Sequence, residues 1–97
     1  MDCIELMPSL SHCIETTARE EFWDLVNKYM EGKQANKKLE AKIELLKAFL
    51  ESMDFKKLRS QSERYLIQGK TVKFIICWKE GKPSYEMLVT EEGKPKF

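Results

Sequence analysis

Residues 36–53, NKKLEAKIELLKAFLESM, decide the fold. Leu39, Ile43, Leu46, Leu50 and Met53 recur at spacings of four, three, four and three, which aligns all five on one stripe of a helix. Leu45, Ala48 and Phe49 widen the stripe to one side. Lys38, Glu40, Lys42, Glu44, Lys47 and Glu51 hold much of the opposite face, with Glu44–Lys47 and Lys47–Glu51 at helical pairing distance. At about 1.5–3 kcal/mol for each buried side chain, this stripe is the largest single contribution expected for the fold. A helix so apolar on one side requires cover, and the flanking sequence supplies it.

Upstream, Thr17-Ala-Arg-Glu20 matches a capping box, so a helix is expected over 17–31. Glu20, Glu21 and Asp24 suit its positive end. Phe22, Leu25, Val26, Tyr29 and Met30 line one face, with Trp23 at the stripe's edge to cover the open side. Gly32 is a stop signal, and the short linker Gly32–Ala35 implies an antiparallel αα-hairpin with the helix over 37–53. Downstream, Asp54 marks a break or new cap, and Phe55, Leu58, Tyr65 and Leu66 give a thin apolar face to a third helix, 55–68, ended by Gly69. One continuous helix through Asp54 is the alternative. The break is preferred because Leu58 and Tyr65 drift off the central stripe.

The period then changes from 3.6 to 2. In Thr71–Trp78, Val72, Phe74, Ile76 and Trp78 alternate with Lys73, Ile75 and Cys77, a strand buried on one face and partly on the other. Lys79-Glu-Gly-Lys-Pro83 is read as a turn, with Pro83 barring strand pairing, and 84–90 as the return strand, with Tyr85, Met87 and Val89 on one face and Leu88 opposite. Residues 91–97 form a second turn and tail. Residues 1–15 carry Ile4, Leu6, Met7, Leu10 and Ile14 without a clean period and are interrupted by Pro8. They are read as a segment docked on the core or on a partner, with a short helix from Pro8 to Ile14 if Pro8 opens one. The expected fold is α+β: an αα-hairpin and a third helix followed by an antiparallel β-hairpin, in the order α-α-α-β-β. A lone two-stranded hairpin is not stable, so it must pack on the helices or pair its edge with a second chain, giving a four-stranded sheet across a symmetric dimer.

Length bounds the rest: 97 residues make one domain, 1–97, with one modest core. Hydrophobic residues are 42% of the chain, ordinary for a folded globule, and charged residues 34%, which is high. The net charge of +1 hides a polarity. Residues 1–53 carry seven basic and ten acidic side chains, whereas 54–97 carry ten basic and six acidic. No window approaches the ~20 apolar residues of a membrane span, and the N-terminus lacks the form of a signal peptide. The three cysteines, Cys3, Cys13 and Cys77, are an odd number without a spacing framework, which predicts free thiols and a cytoplasmic protein.

Catalytic signals are thin. His12-Cys13 with a distant Cys3 lacks the paired spacing of a zinc site, and a Cys13–His12 nucleophile pair has no orienting third group. The four glycines, Gly32, Gly69, Gly81 and Gly93, serve as turns or helix stops rather than a phosphate loop. The carboxylates lie on solvated helix faces. No enzyme, metal or cofactor is expected. The favoured reading is a protein–protein interaction module or oligomer, with Ile75, Cys77, Trp78 and Leu88 as the candidate contact residues. The alternative is nucleic-acid binding, because three helices followed by a hairpin is a winged-helix-like order. Its candidates are Lys56, Lys57, Arg59, Gln61 and Arg64 on the third helix and Lys70, Lys73, Lys79 and Lys82 around the hairpin.

Overall fold

The computed structural model describes residues 3–32 and 37–90. Six elements follow in order: β1 (Ile4–Leu6), α1 (Ile14–Glu31), α2 (Lys37–Ser52), α3 (Phe55–Leu66), β2 (Thr71–Lys79) and β3 (Lys82–Thr90). The α+β class and the three-helix-then-hairpin order hold, with one strand added in front. The linker Gly32–Ala35, apart from Gly32 itself, and the tail 91–97 lie outside the described residues.

The added strand lies in residues 1–15, which dock on the core through Ile4, Leu6 and Ile14 but in part as a strand the sequence did not show. Ile4–Leu6 pairs antiparallel with β2, Ile4 opposite Ile76 and Leu6 opposite Phe74, so the sheet has three strands in the order β1-β2-β3. No helix forms from Pro8; a turn closes there instead, with Ser9 and His12 exchanging backbone hydrogen bonds at 2.8 and 3.2 Å. The β2–β3 turn is also tighter than expected. Only Glu80 and Gly81 are unpaired, at φ 53° and 78°, the left-handed pair of a type I′ turn. Pro83 does not bar pairing but sits within β3 opposite Trp78.

Alternation divides the sheet into two faces. Ile4, Leu6, Val72, Phe74 and Ile76 are buried against the helices, with Trp78, Tyr85, Met87 and Val89 partly buried beside them. The helices supply Ile14, Ala18 and Leu25 from α1, Leu45, Leu46 and Phe49 from α2, and Leu58 from α3. The fully buried part of α2 thus joins one stripe residue, Leu46, to the flank residues Leu45 and Phe49. Leu39, Ile43, Leu50 and Met53 on the anticipated stripe are only partly buried, because α1, α3 and the sheet meet over the Leu45–Phe49 side. Phe49 and Phe55 meet edge to face, their ring centroids 5.4 Å apart, across the α2–α3 corner.

The helix ends show which local signals acted. Asp54 caps α3, its carboxylate accepting the Lys57 backbone N–H at 3.2 Å, so the central helix does break. Gly69, at φ 82°, turns the chain into β2. The capping box at Thr17 does not form. The helix starts one turn earlier, at Ile14, and the Thr17 hydroxyl donates to the Cys13 carbonyl at 2.9 Å. Burial of Ile14 on the core outweighs a cap worth about 1 kcal/mol. Ion pairs at i,i+4 spacing form at Glu15–Arg19 and Arg59–Glu63, both 2.9 Å, rather than among Glu44, Lys47 and Glu51.

Candidate interaction surfaces

The helices cover one face of the sheet and leave the other open. Cys3, Glu5, Thr71, Lys73, Ile75, Cys77, Ser84, Glu86 and Leu88 share the open face by register. Lys73 Nζ reaches Glu5 Oε1 at 3.5 Å across it. Ile75 and Cys77 are half-buried and Leu88 exposed, so three of the four candidate contact residues share a surface. Trp78 does not join them, because its parity turns it to the helix side, where it packs on the core.

Cys77 lies on the open face but is not a free thiol. It is disulfide-bonded to Cys3, directly opposite in the β1–β2 register, with the Cα atoms 4.5 Å apart. This corrects the expectation of three free thiols. Spacing in sequence carried no signal of the bridge, since 74 residues separate the partners. Cys13 is free and half-exposed at the start of α1. The Thr16 hydroxyl, 3.4 Å from Sγ, holds its pKa below the ordinary thiol range, with further lowering from the Thr16 and Glu15 backbone and from Arg59. His12 lies beside Glu20 at 3.6 Å and is exposed. Among the described residues no group of three or more His, Cys, Asp or Glu is arranged to hold a metal ion.

The strand edges complete this surface. A Cα spacing of 4.5 Å is that of a non-hydrogen-bonded antiparallel pair, so the Ile4–Ile76 and Leu6–Phe74 pairs carry the β1–β2 bonds. By alternation, Lys73, Ile75, Cys77 and Lys79 turn their backbone groups to β3. Tyr85, Met87 and Val89 then point theirs away from β2, to a free edge. Pro83 has the same parity, which is why a residue without an N–H is accommodated there. Among the described residues no strand pairs with that edge.

The nucleic-acid candidates, eight basic residues and Gln61, split into three groups. Lys56, Lys57 and Arg64 are exposed on α3. Lys79 and Lys82 flank the hairpin tip and are exposed. The other four are engaged: Arg59 with Glu63, Gln61 with the Tyr85 hydroxyl at 3.5 Å, Lys73 with Glu5, and Lys70 with the Tyr65 ring at 5.8 Å.

A second apolar surface went unmarked in the sequence reading. Val26, Tyr29, Met30, Glu40, Ile43 and Glu44 line a groove of about 490 Å³ between α1 and α2. Tyr29 donates its hydroxyl hydrogen to Glu40 at 2.7 Å, which raises the phenol pKa above its ordinary value. Met30, 76% exposed, does not join the buried face of α1, and Trp23, 61% exposed, does not cover the open side of the helical pair as expected. No described helix is long and apolar enough to cross a membrane.

No curated protein and no solved structure matches the chain. A protein-family model does match it, over residues 3–91 of 97, and the chain belongs to that family.

Proposed function

We propose that this protein is a small, non-enzymatic interaction module that self-associates through the free edge of β3. The observation that carries this reading is the edge itself. Tyr85, Met87 and Val89 offer outward backbone groups without a partner among the described residues. An uncovered strand of this length and apolar character is a template for a further strand. Between Pro83 and Thr90 only Glu86 carries a charge. A second copy fits because an antiparallel edge is self-complementary about a two-fold axis. Centred on Met87, the register pairs Tyr85 with Val89 and joins two three-stranded sheets into one of six. It also sets Glu86 opposite Leu88, whereas a register centred on Glu86 would oppose two carboxylates. A cytoplasmic setting belongs to this reading, and there the disulfide meets reducing thiols.

Sedimentation equilibrium tests it. The wild-type chain is expected at dimer mass. Val89→Ala, which removes packing but keeps the outward N–H, retains the dimer, and Val89→Pro, which also removes the N–H, gives a monomer. A wild-type monomer, or a dimer that survives Val89→Pro, would overturn the reading.

A second reading is nucleic-acid binding. Gly69 turns the end of α3 into Thr71, the end of β2 farthest from the hairpin tip, and the Gln61–Tyr85 contact sets the middle of α3 level with Ile76, so the Lys56–Lys57 end lies toward the tip, where Lys79 and Lys82 stand. Anisotropy of a labelled duplex is its test: tight binding at low salt, with Lys57→Ala reducing the salt slope by about 1, supports it. No binding at low salt rejects it.

A further inference from the structure

We infer that the Cys3–Cys77 disulfide is a thiol-exchange site that governs whether β1 stays on the sheet. Three observations converge. Both cysteines are half-exposed and lie on the sheet face that carries no helix, so an attacking thiolate has an open approach. The bridge joins the outermost, three-residue strand to the central strand of the sheet. It also closes the chain across 74 residues, so it constrains all three helices as well as β1.

Apart from the bridge, few groups hold β1. Ile4 and Leu6 are buried beneath it, Pro8 is buried just beyond it, and Glu5 reaches Lys73 on the open face. Two residue pairs, Ile4–Ile76 and Leu6–Phe74, carry its backbone bonds. A three-residue strand with one neighbour belongs to the part of a fold that opens first. Once it leaves, the outward N–H and C=O groups of Phe74 and Ile76 become a second open edge, on the central strand. The oxidised protein thus presents one free long edge and the reduced protein two.

The reaction is ordinary exchange with a dithiol. One thiolate of the dithiol attacks a sulfur of the bridge, forming a mixed disulfide and expelling the other cysteine as a thiolate. The second thiol of the dithiol, as its thiolate, attacks the mixed disulfide and closes a cyclic disulfide. Cys3 and Cys77 leave as thiols once protonated, having gained the two electrons the dithiol lost. Cys13 takes no part. The inference is independent of the β3-edge reading, because it concerns the opposite side of the sheet.

Amide hydrogen exchange with and without dithiothreitol tests it, with alkylation and mass spectrometry confirming reduction of Cys3 and Cys77. Reduction is expected to speed exchange at Ile4, Leu6, Phe74 and Ile76 at least about tenfold more than at Lys73, Ile75 and the α2 core amides, which follow only the global stability. The Cys3→Ser/Cys77→Ser protein should show the same pattern without reductant. Unchanged protection at the four amides would overturn the proposal, because packing alone would then hold β1. A loss of protection at these four amides no greater than at the α2 core would overturn it too, since the bridge would then act only as a global staple. A bridge that resists the dithiol in the folded protein would also reject it.

Discussion

The Tyr29 hydroxyl and the Glu40 carboxylate lie 2.7 Å apart, a side-chain hydrogen bond that ties α1 to α2. The bond requires the protonated phenol, so Tyr29 should titrate above the ordinary tyrosine range, and ultraviolet titration would read it. The folded pKa is raised above the unfolded one. The contribution is therefore complete below the unfolded value and is lost as pH climbs through the folded value. Glu40→Gln removes the charge and should bring the titration back toward normal. An unshifted wild-type titration would mean that the bond does not persist in solution.

Phe49 is fully buried and stacks edge-on against Phe55 where α2 turns into α3. Phe49→Ala should cost about 3–5 kcal/mol in denaturant unfolding. Leu39→Ala should cost clearly less, because Leu39 is only partly buried. Equal losses would place the centre of the core on the stripe read from sequence rather than on its flank.

Cys77→Ser should lower stability by about 2–4 kcal/mol, through loss of a bridge that closes most of the chain. Denaturant midpoints of the variant and of the reduced wild type should then coincide. A midpoint unmoved by either treatment would show that the bridge adds nothing to stability.

Asp54→Ala should cost about 1 kcal/mol, since it frees the Lys57 N–H at the start of α3. Asp54→Ser should recover most of that loss. If both variants match the wild type in thermal unfolding, the α2–α3 break is held by packing at Phe55 and Leu58 rather than by the cap.

Cys13 should react with iodoacetamide at a lower pH than an unperturbed thiol, because the Thr16 hydroxyl favours its thiolate. Thr16→Val should move the pH–rate midpoint upward. A midpoint equal to that of a free cysteine in the wild type would remove the hydrogen bond from the account.

The sequence made the helices and the hairpin legible because each rests on a local period. Alternation from Val72 to Trp78 and helical spacing through 39–53 repeat often enough to separate period 2 from 3.6. Asp54 and Gly69 were legible as a cap and a stop because their chemistry is local. Of the candidate contact residues, Ile75 and Leu88 could be placed by parity alone. Trp78 was legible by the same parity, which sets it with Val72, Phe74 and Ile76 on the face opposite to Ile75. The basic candidates were legible as charges but not as a surface. Glu5, which pairs with Lys73, comes from a strand at the other end of the chain.

The sequence by itself determined which segments are helix and which are hairpin, and where α2 ends, since periodicity and caps act over a few residues. Tertiary structure decided the rest. Ile4-Glu5-Leu6 is too short to show a strand period, and it becomes β1 only because β2 offers Phe74 and Ile76 as partners. Cys3 and Cys77 meet for the same reason, and the buried flank of α2 was chosen by the sheet that packs on it. Each of these outcomes depends on groups distant in sequence meeting in space, a constraint that no local pattern carries.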